Sequence, residues 1–555
     1  MLATRTVTAR TVTASIVTTR RTAMRLALGT AVALSLAAPL AAQTAPSEGS
    51  VYVRGNTADP ETLDQHKTST TYEANVLRDL YEGLVIYDAA AQVVPGVAES
   101  WEVSDDGLTY TFTLREDAKW SNGDAITAED FVYSLQRIMT PETGAKYANI
   151  LYPIAGAEAV NKGEAEPDTM GVTAIDERTL EIKLENPTPF FLELLTHQTG
   201  LPVHRPSVEE HGADFVRPEN MVTNGAYTLQ EFTPNQQIVV VKNPEFHAAD
   251  SVMIDEVRFI PTEDRSAALR RFQAGELLSN NDVPQEQIEF METELGPEQF
   301  RVSPYLGTYY YSIKADKEPF SDPKVRQALS MAIDREFLAD EIAPAFLPAY
   351  SFVPAGIANY GDGADAPKFA FDGESMLDRE DEAKRLLEEA GFGPDNPLEV
   401  EISYNTSENH KNIATAIADM WAPLGVEVTL SNQDTATHYA GLRDGADYDV
   451  ARAGWIGDYN DPENFLSLYK SDNLGFNYSR YNNPEYDALL DEAAATTDLD
   501  ARADILKRAE RMLMDDVGVI PIFYYTGQNL VSPKLKGWVD NIQNAHASRF
   551  MSIEE

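Results

Sequence analysis

The chain has 555 residues, 44 basic against 89 acidic side chains, a formal charge of −45, 43% hydrophobic residues and no cysteine. That balance excludes a nucleic-acid or anionic-membrane surface, both of which want a basic face. The missing cysteine excludes disulfides, thiolate catalysis, thiolate metal sites and lipidation through a thiol.

The apolar fraction is that of a globular protein with a sizeable core, and the length fits about three domains or two large lobes. Residues 1–42 carry five arginines, no acid and an apolar run from Leu26 to Ala38, with small residues at Ala41 and Ala42. A charged start, short apolar core and small-residue exit make a secretory signal. The core is shorter than the about 20 residues of a membrane span. The mature protein is therefore expected to begin near Gln43, in the periplasm, unlipidated and with a charge of −50. Arg20-Arg21 leaves twin-arginine export open beside the general route, and Met24 is an alternative start.

Leu108 to Leu114 alternates as a half-buried strand after the turn Asp105-Asp106-Gly107. Thr127 opens a helix with Asp130 as its capping-box partner. Thr179–Leu184 and Gln237–Lys242 read as further strands. The second half is more regular. Asp322-Pro323 starts a helix; Asp378 is expected to cap another, supported by Glu380–Lys384 and Asp381–Arg385 and ended by Gly391. Leu398–Tyr404, a helix over about 408–421 and Val426–Leu430 make a βαβ unit with parallel strands, followed by a strand at Tyr448–Trp455. The fold class is α/β, in the mixed α+β sense.

In open α/β sheets ligands sit beyond the carboxyl ends of the strands, where helix N-termini also point. Two segments leave such ends: Asn405 to His410, with hydroxyls and an imidazole, and Ile456 to Pro462, with carboxylates. Arg443 and Arg452 lie before and within the last strand, so a ligand with both an ammonium and a carboxylate matches the pair. Asp449 is a purely structural alternative partner for Arg452. No nucleophile elbow, zincin, Walker or dinucleotide motif occurs. His197, His204 and His211 recur every seven residues, but Pro202 and Pro206 interrupt them, and they read as surface or loop residues. No cofactor or metal is implied.

Several runs carry a family. They are Pro60 to Asp64, Tyr81 to Leu84, Pro95 to Trp101, Ala118 to Gly123 leading to Phe131, Thr223 to Tyr227, Thr308 to Tyr311, Val325 to Arg335, and Tyr448 to Trp455 running into Asp458-Tyr459-Asn460. With them the chain resembles, from end to end, the extracytoplasmic oligopeptide-binding proteins of ABC importers, solute-binding protein family 5. The resemblance implies a two-lobed, three-domain periplasmic-binding-protein fold with the ligand in an interlobe cleft. Domain I would comprise residues 43–82, 207–309 and 526–555; domain II, 83–206; domain III, 310–525. It implies that Asp458 pairs with the peptide ammonium and that Arg452, Arg443 and His410 receive the carboxylate. Trp455 and Tyr147 would line the cleft, joined by Asn280, Asn281 and Tyr525. Two positions depart from the family pattern: Ala343 replaces a lysine and Asp59 a glutamate. The implied partners are an oligopeptide and the permease subunits of an inner-membrane importer, the protein itself being a monomer and not an enzyme. The alternatives are a receptor for murein peptides or another small solute, and an exported hydrolase, which the missing nucleophile–base motif opposes.

Overall fold

A computed structural model describes residues 49–360 and 366–554; the expected signal segment lies outside them. Its main sheet uses β1 Val51–Gly55, β2 Tyr227–Thr233, β3 Gln237–Lys242, β4 Glu256–Ile260 and β5 Ser279–Asn280. It continues with β6 Phe300–Ile313, β7 Leu398–Asn405, β8 Val426–Gln433, β9 Val450–Ile456 and β10 Ile520–Val531. The spatial order is β8-β7-β9-β6-β10-β5-β1-β4-β3-β2.

The expected βαβ unit is present. β7 and β8 pair in parallel from Leu398↔Val426 to Asn405↔Gln433, with the crossover helix Glu408–Trp421 between them, and β9 adds in parallel to β7. The strands joining the halves are β6 and β10, of 14 and 12 residues. One end of this antiparallel pair meets β9 through β6, and the other meets β5 through β10. Its register breaks between Pro304 and Thr308, where proline has no N–H for the ladder.

The buried side chains form separate cores. One packs Tyr310, Phe352, Trp421, Phe465 and Leu513 around the β7–β9 half. Another packs Tyr52, Trp120, Phe131 and Phe191 around the other half and a second, four-stranded antiparallel sheet. That sheet comprises Ala98–Val103, Thr109–Leu114, Thr179–Lys183 and Val172–Ala174. A smaller third cluster gathers Leu269, Phe272, Met291, Phe300 and Leu530, and the two large cores joined by two long strands give a two-lobed architecture.

Some local expectations are corrected. Ser375, not Asp378, caps the helix Met376–Glu389: its hydroxyl accepts the Asp378 N–H at 3.2 Å. Arg385 pairs with Glu382 and Glu389 rather than Asp381, because long carboxylates one turn away on either side meet its fork better. His204 is buried, not exposed; its ring accepts from Ser207 N–H at the start of the helix Arg205–His211, where Pro206 suits the first turn.

Candidate ligand-binding site

A cavity of about 740 Å³ opens between the two cores. Its floor is the helix α1, Thr71–Leu80, started by a capping box in which Glu73 accepts the Thr70 N–H at 3.0 Å. Thr71, Ala74, Asn75 and Arg78 recur at helical spacing and face the cavity. Tyr147 and His197 line one wall; Ile456, Gly457 and Asp458, leaving the end of β9, line the other with Tyr525 of β10. The carboxyl ends of β7 and β9 therefore meet the cleft as the topology rule requires, Asn409 following β7.

Asp458 is held by its own loop. Asn464 Oδ1 accepts the Asp458 N–H at 3.3 Å and the Trp455 indole N–H at 2.7 Å. Behind them Asp461 takes both arms of Arg502 at 2.7 Å, in a pair with side chains at most 1% exposed. The Tyr147 hydroxyl donates to Asp458 Oδ1 at 2.6 Å. Burial pushes the Asp458 carboxyl up from its ordinary range, and the tyrosine hydroxyl pulls it partly back. No cation pairs with it among the described residues. The Asp458 side chain is exposed to the open cleft, where water solvates it; a closed, dry cleft would require a cation beside it.

Arg452 is 7% exposed and also lacks a charged partner among the described residues. It donates to Tyr439 at 2.8 Å, Tyr525 at 2.9 Å and Asn405 at 3.2 Å, and lies 4.5 Å from the Tyr309 ring centre. Asp449 instead pairs with Lys317 at 2.8 Å. Arg452 thus sits directly behind Tyr525, a cation packed among tyrosine rings. His410 accepts or donates to the Tyr309 hydroxyl at 3.2 Å, and burial, with the Arg452 charge, pushes its pKa down to about 3. It is neutral at ordinary pH.

Of the expected site residues, Asp458, Tyr147, Asn281 and Tyr525 line one cavity, and the buried Asn281 Oδ1 has no partner. Arg452 and His410 stand in the layer behind it. Trp455 is turned to Asn464 and Phe476. Asn280 is spent inside the wall, accepting from Thr262 at 3.0 Å. Arg443 is exposed at the end of the helix Thr435–Asp444, away from the cavity. The departing positions are likewise occupied locally: Ala343 is buried, and Asp59 accepts the Asn235 N–H. Residue reading missed Arg78, His197 and Asn464. Arg78 and Asn75 were detectable only as polar positions on a helix that is buried on most sides.

A sheet running through two lobes, with an interlobe cleft lined from both, defines the class of two-lobed extracellular ligand receptors. The chain belongs to the bacterial extracellular solute-binding proteins, family 5: residues 92–477 match the model described as "Bacterial extracellular solute-binding proteins, family 5 Middle". It is 38% identical over 528 residues to the periplasmic oligopeptide-binding protein OppA of Escherichia coli K12, covering 94% of this chain and 96% of that one. The unliganded open form of the periplasmic murein tripeptide-binding protein MppA superposes with a TM-score of 0.86 at 39% identity, covering 91% and 98% of the two chains. The Haemophilus influenzae OppA complex with the peptide RPPGFSPFR gives 0.69 at 38% identity, covering 91% and 99%. At nearly the same identity the open-form structure thus superposes better than the peptide complex does.

Proposed function

We propose that the mature protein is a periplasmic receptor that captures oligopeptides between its lobes and hands them unaltered to the permease subunits of an inner-membrane ABC importer. The observation that carries this reading is the opposed pair of uncompensated charges: Asp458 in the cleft and Arg452 behind its wall, with no charged partner for either among the described residues. An extended peptide with a free amino and a free carboxyl end supplies both missing charges. Its main chain can pair with protein backbone, which leaves side-chain identity open. Closure of the lobes would exclude water and bring the layer of Arg452 and His410 to bear on the carboxylate. The register break at Pro304–Thr308 supports a hinge near the expected boundaries at 309/310 and 525/526. The receptor acts as a monomer and makes and breaks no bond.

Native mass spectrometry of protein purified from the periplasm tests this reading. Co-purified peptides of several lengths, released intact on denaturation, are expected. A bound non-peptide solute, or cleavage of added peptides, would overturn it.

A further inference from the structure

Arg78 is another cation without an ion pair, and it stands in the floor of the cleft rather than behind its wall. It lies in the last turn of α1, flanked by Tyr87, Tyr305 and His197, and burial pulls its pKa below the usual arginine range. None of the carboxylates around it pairs with it, although Asp79 keeps one buried oxygen, Oδ2, without a partner and Asp458 lines the same cavity. Asp79 accepts the Ser548 N–H at 2.8 Å, Glu82 is paired with Arg549 at 2.6 Å and His247 at 2.7 Å, and Asp282 with Arg265 at 2.7 Å. No ion pair forms to Arg78 among the described residues. Arginine forks bind carboxylates bidentately and lose much when desolvated without one.

Its place relative to the ammonium site follows from its neighbours. Arg78 and His197 line the same cavity. The His197 ring packs 5.3 Å from that of Tyr147, and Tyr147 bonds Asp458. Arg78 thus shares the cavity with the wall that carries the proposed subsite for the peptide amino end, while Arg452 is assigned to the other end.

We propose that Arg78 is a specificity-determining residue that receives a side-chain carboxylate on one of the first residues of the bound peptide. The receptor then favours peptides with glutamate or aspartate close behind a free amino end. This rests on the reading of the protein as an oligopeptide receptor.

Calorimetry with Ala-Glu-Ala-Ala and Ala-Gln-Ala-Ala tests it, since the two peptides differ in charge and hardly in shape. The wild type should bind the glutamate peptide at least about tenfold more tightly, the range expected for a charged hydrogen-bonded pair. The ratio should survive amidation of both C-termini, which removes the terminal carboxylate as its source. Arg78→Gln should bring the ratio close to one while keeping affinity for the glutamine peptide, and Arg78→Lys should retain part of it. Equal wild-type binding of both peptides, loss of the ratio on amidation, or an unchanged ratio in Arg78→Gln would each overturn the assignment while leaving the oligopeptide reading intact. The wild-type comparison decides even where the variants fail to fold. If the wild type binds neither peptide, the oligopeptide reading falls and takes this one with it.

Discussion

The Tyr147 hydroxyl donates to Asp458 Oδ1 at 2.6 Å, tying the cavity wall that carries Tyr147 to the loop that leaves β9. This bond is the only polar support that the Asp458 side chain has among the described residues, and it fixes the position of a carboxylate exposed to the cleft. Burial raises the carboxyl above its ordinary 3.8, while the hydroxyl opposes the rise. The ionised carboxylate is the form that attracts an ammonium. Affinity for a free-amino peptide is therefore complete above the Asp458 pKa and lost as pH falls through it.

Tyr147→Phe removes the opposing hydrogen bond, so the Asp458 pKa rises further. The acid limb of the affinity–pH profile should move to higher pH, with affinity at neutral pH reduced less than at acid pH. Calorimetry with one peptide across the acid range measures both. An acid limb unchanged from the wild type would mean that Asp458 does not titrate with ligand binding.

Asp461 and Arg502 anchor the loop that carries Asp458. Arg502→Met strands a buried carboxylate and should cost on the order of 3–5 kcal/mol of stability in denaturant unfolding. Adding Asp461→Asn should recover a large part of that loss, because the uncompensated charge is gone. A double variant as unstable as the sum of the two singles would show that the pair is not coupled.

Glu193 titrates in the opposite sense to an ordinary surface acid. Burial raises its pKa from 4.5 to about 8; Tyr87 donates to it at 2.6 Å and opposes the rise, and the charge of Asp461 adds to it. The folded state therefore prefers the protonated form. Its stabilisation is complete below 4.5 and is lost as pH climbs through about 8. Glu193→Gln mimics the protonated state and should gain on the wild type in melting temperature as pH rises over that interval. A difference independent of pH would contradict the assignment.

The parts of the fold set by nearby residues were readable in sequence, and the parts set across the chain were not. Leu398–Tyr404 and Val426–Leu430 announced a parallel βαβ unit because alternation and helix periodicity are local signals. That unit directs the loops after β7 and β9 to one end of the sheet, and Asn409 and Asp458 both line the interlobe cavity there. The pairing of β6 with β10, which joins the lobes, links segments far apart in sequence and left no local trace. Tyr147 entered through the family resemblance alone. Arg78 escaped because a basic residue in the last turn of a helix reads as a complement to the helix dipole, and only the tertiary structure shows that it faces a cleft. Arg443, close to β9 in sequence, stands exposed at a helix end and outside the cavity lining, because sequence proximity does not turn a helix-end side chain toward the cavity.

The central claim is that Asp458 is the counter-charge for a peptide ammonium. Calorimetry on wild type and Asp458→Asn, each with a free and an N-acetylated form of one peptide, tests it most directly. Stranding a buried ammonium costs roughly 3–5 kcal/mol, or on the order of a hundredfold or more in affinity. The wild type should bind the free peptide tightly and the acetylated one poorly; Asp458→Asn should lose that hundredfold for the free peptide and far less for the acetylated one. If the folded variant binds both peptides as the wild type does, the ammonium site lies elsewhere.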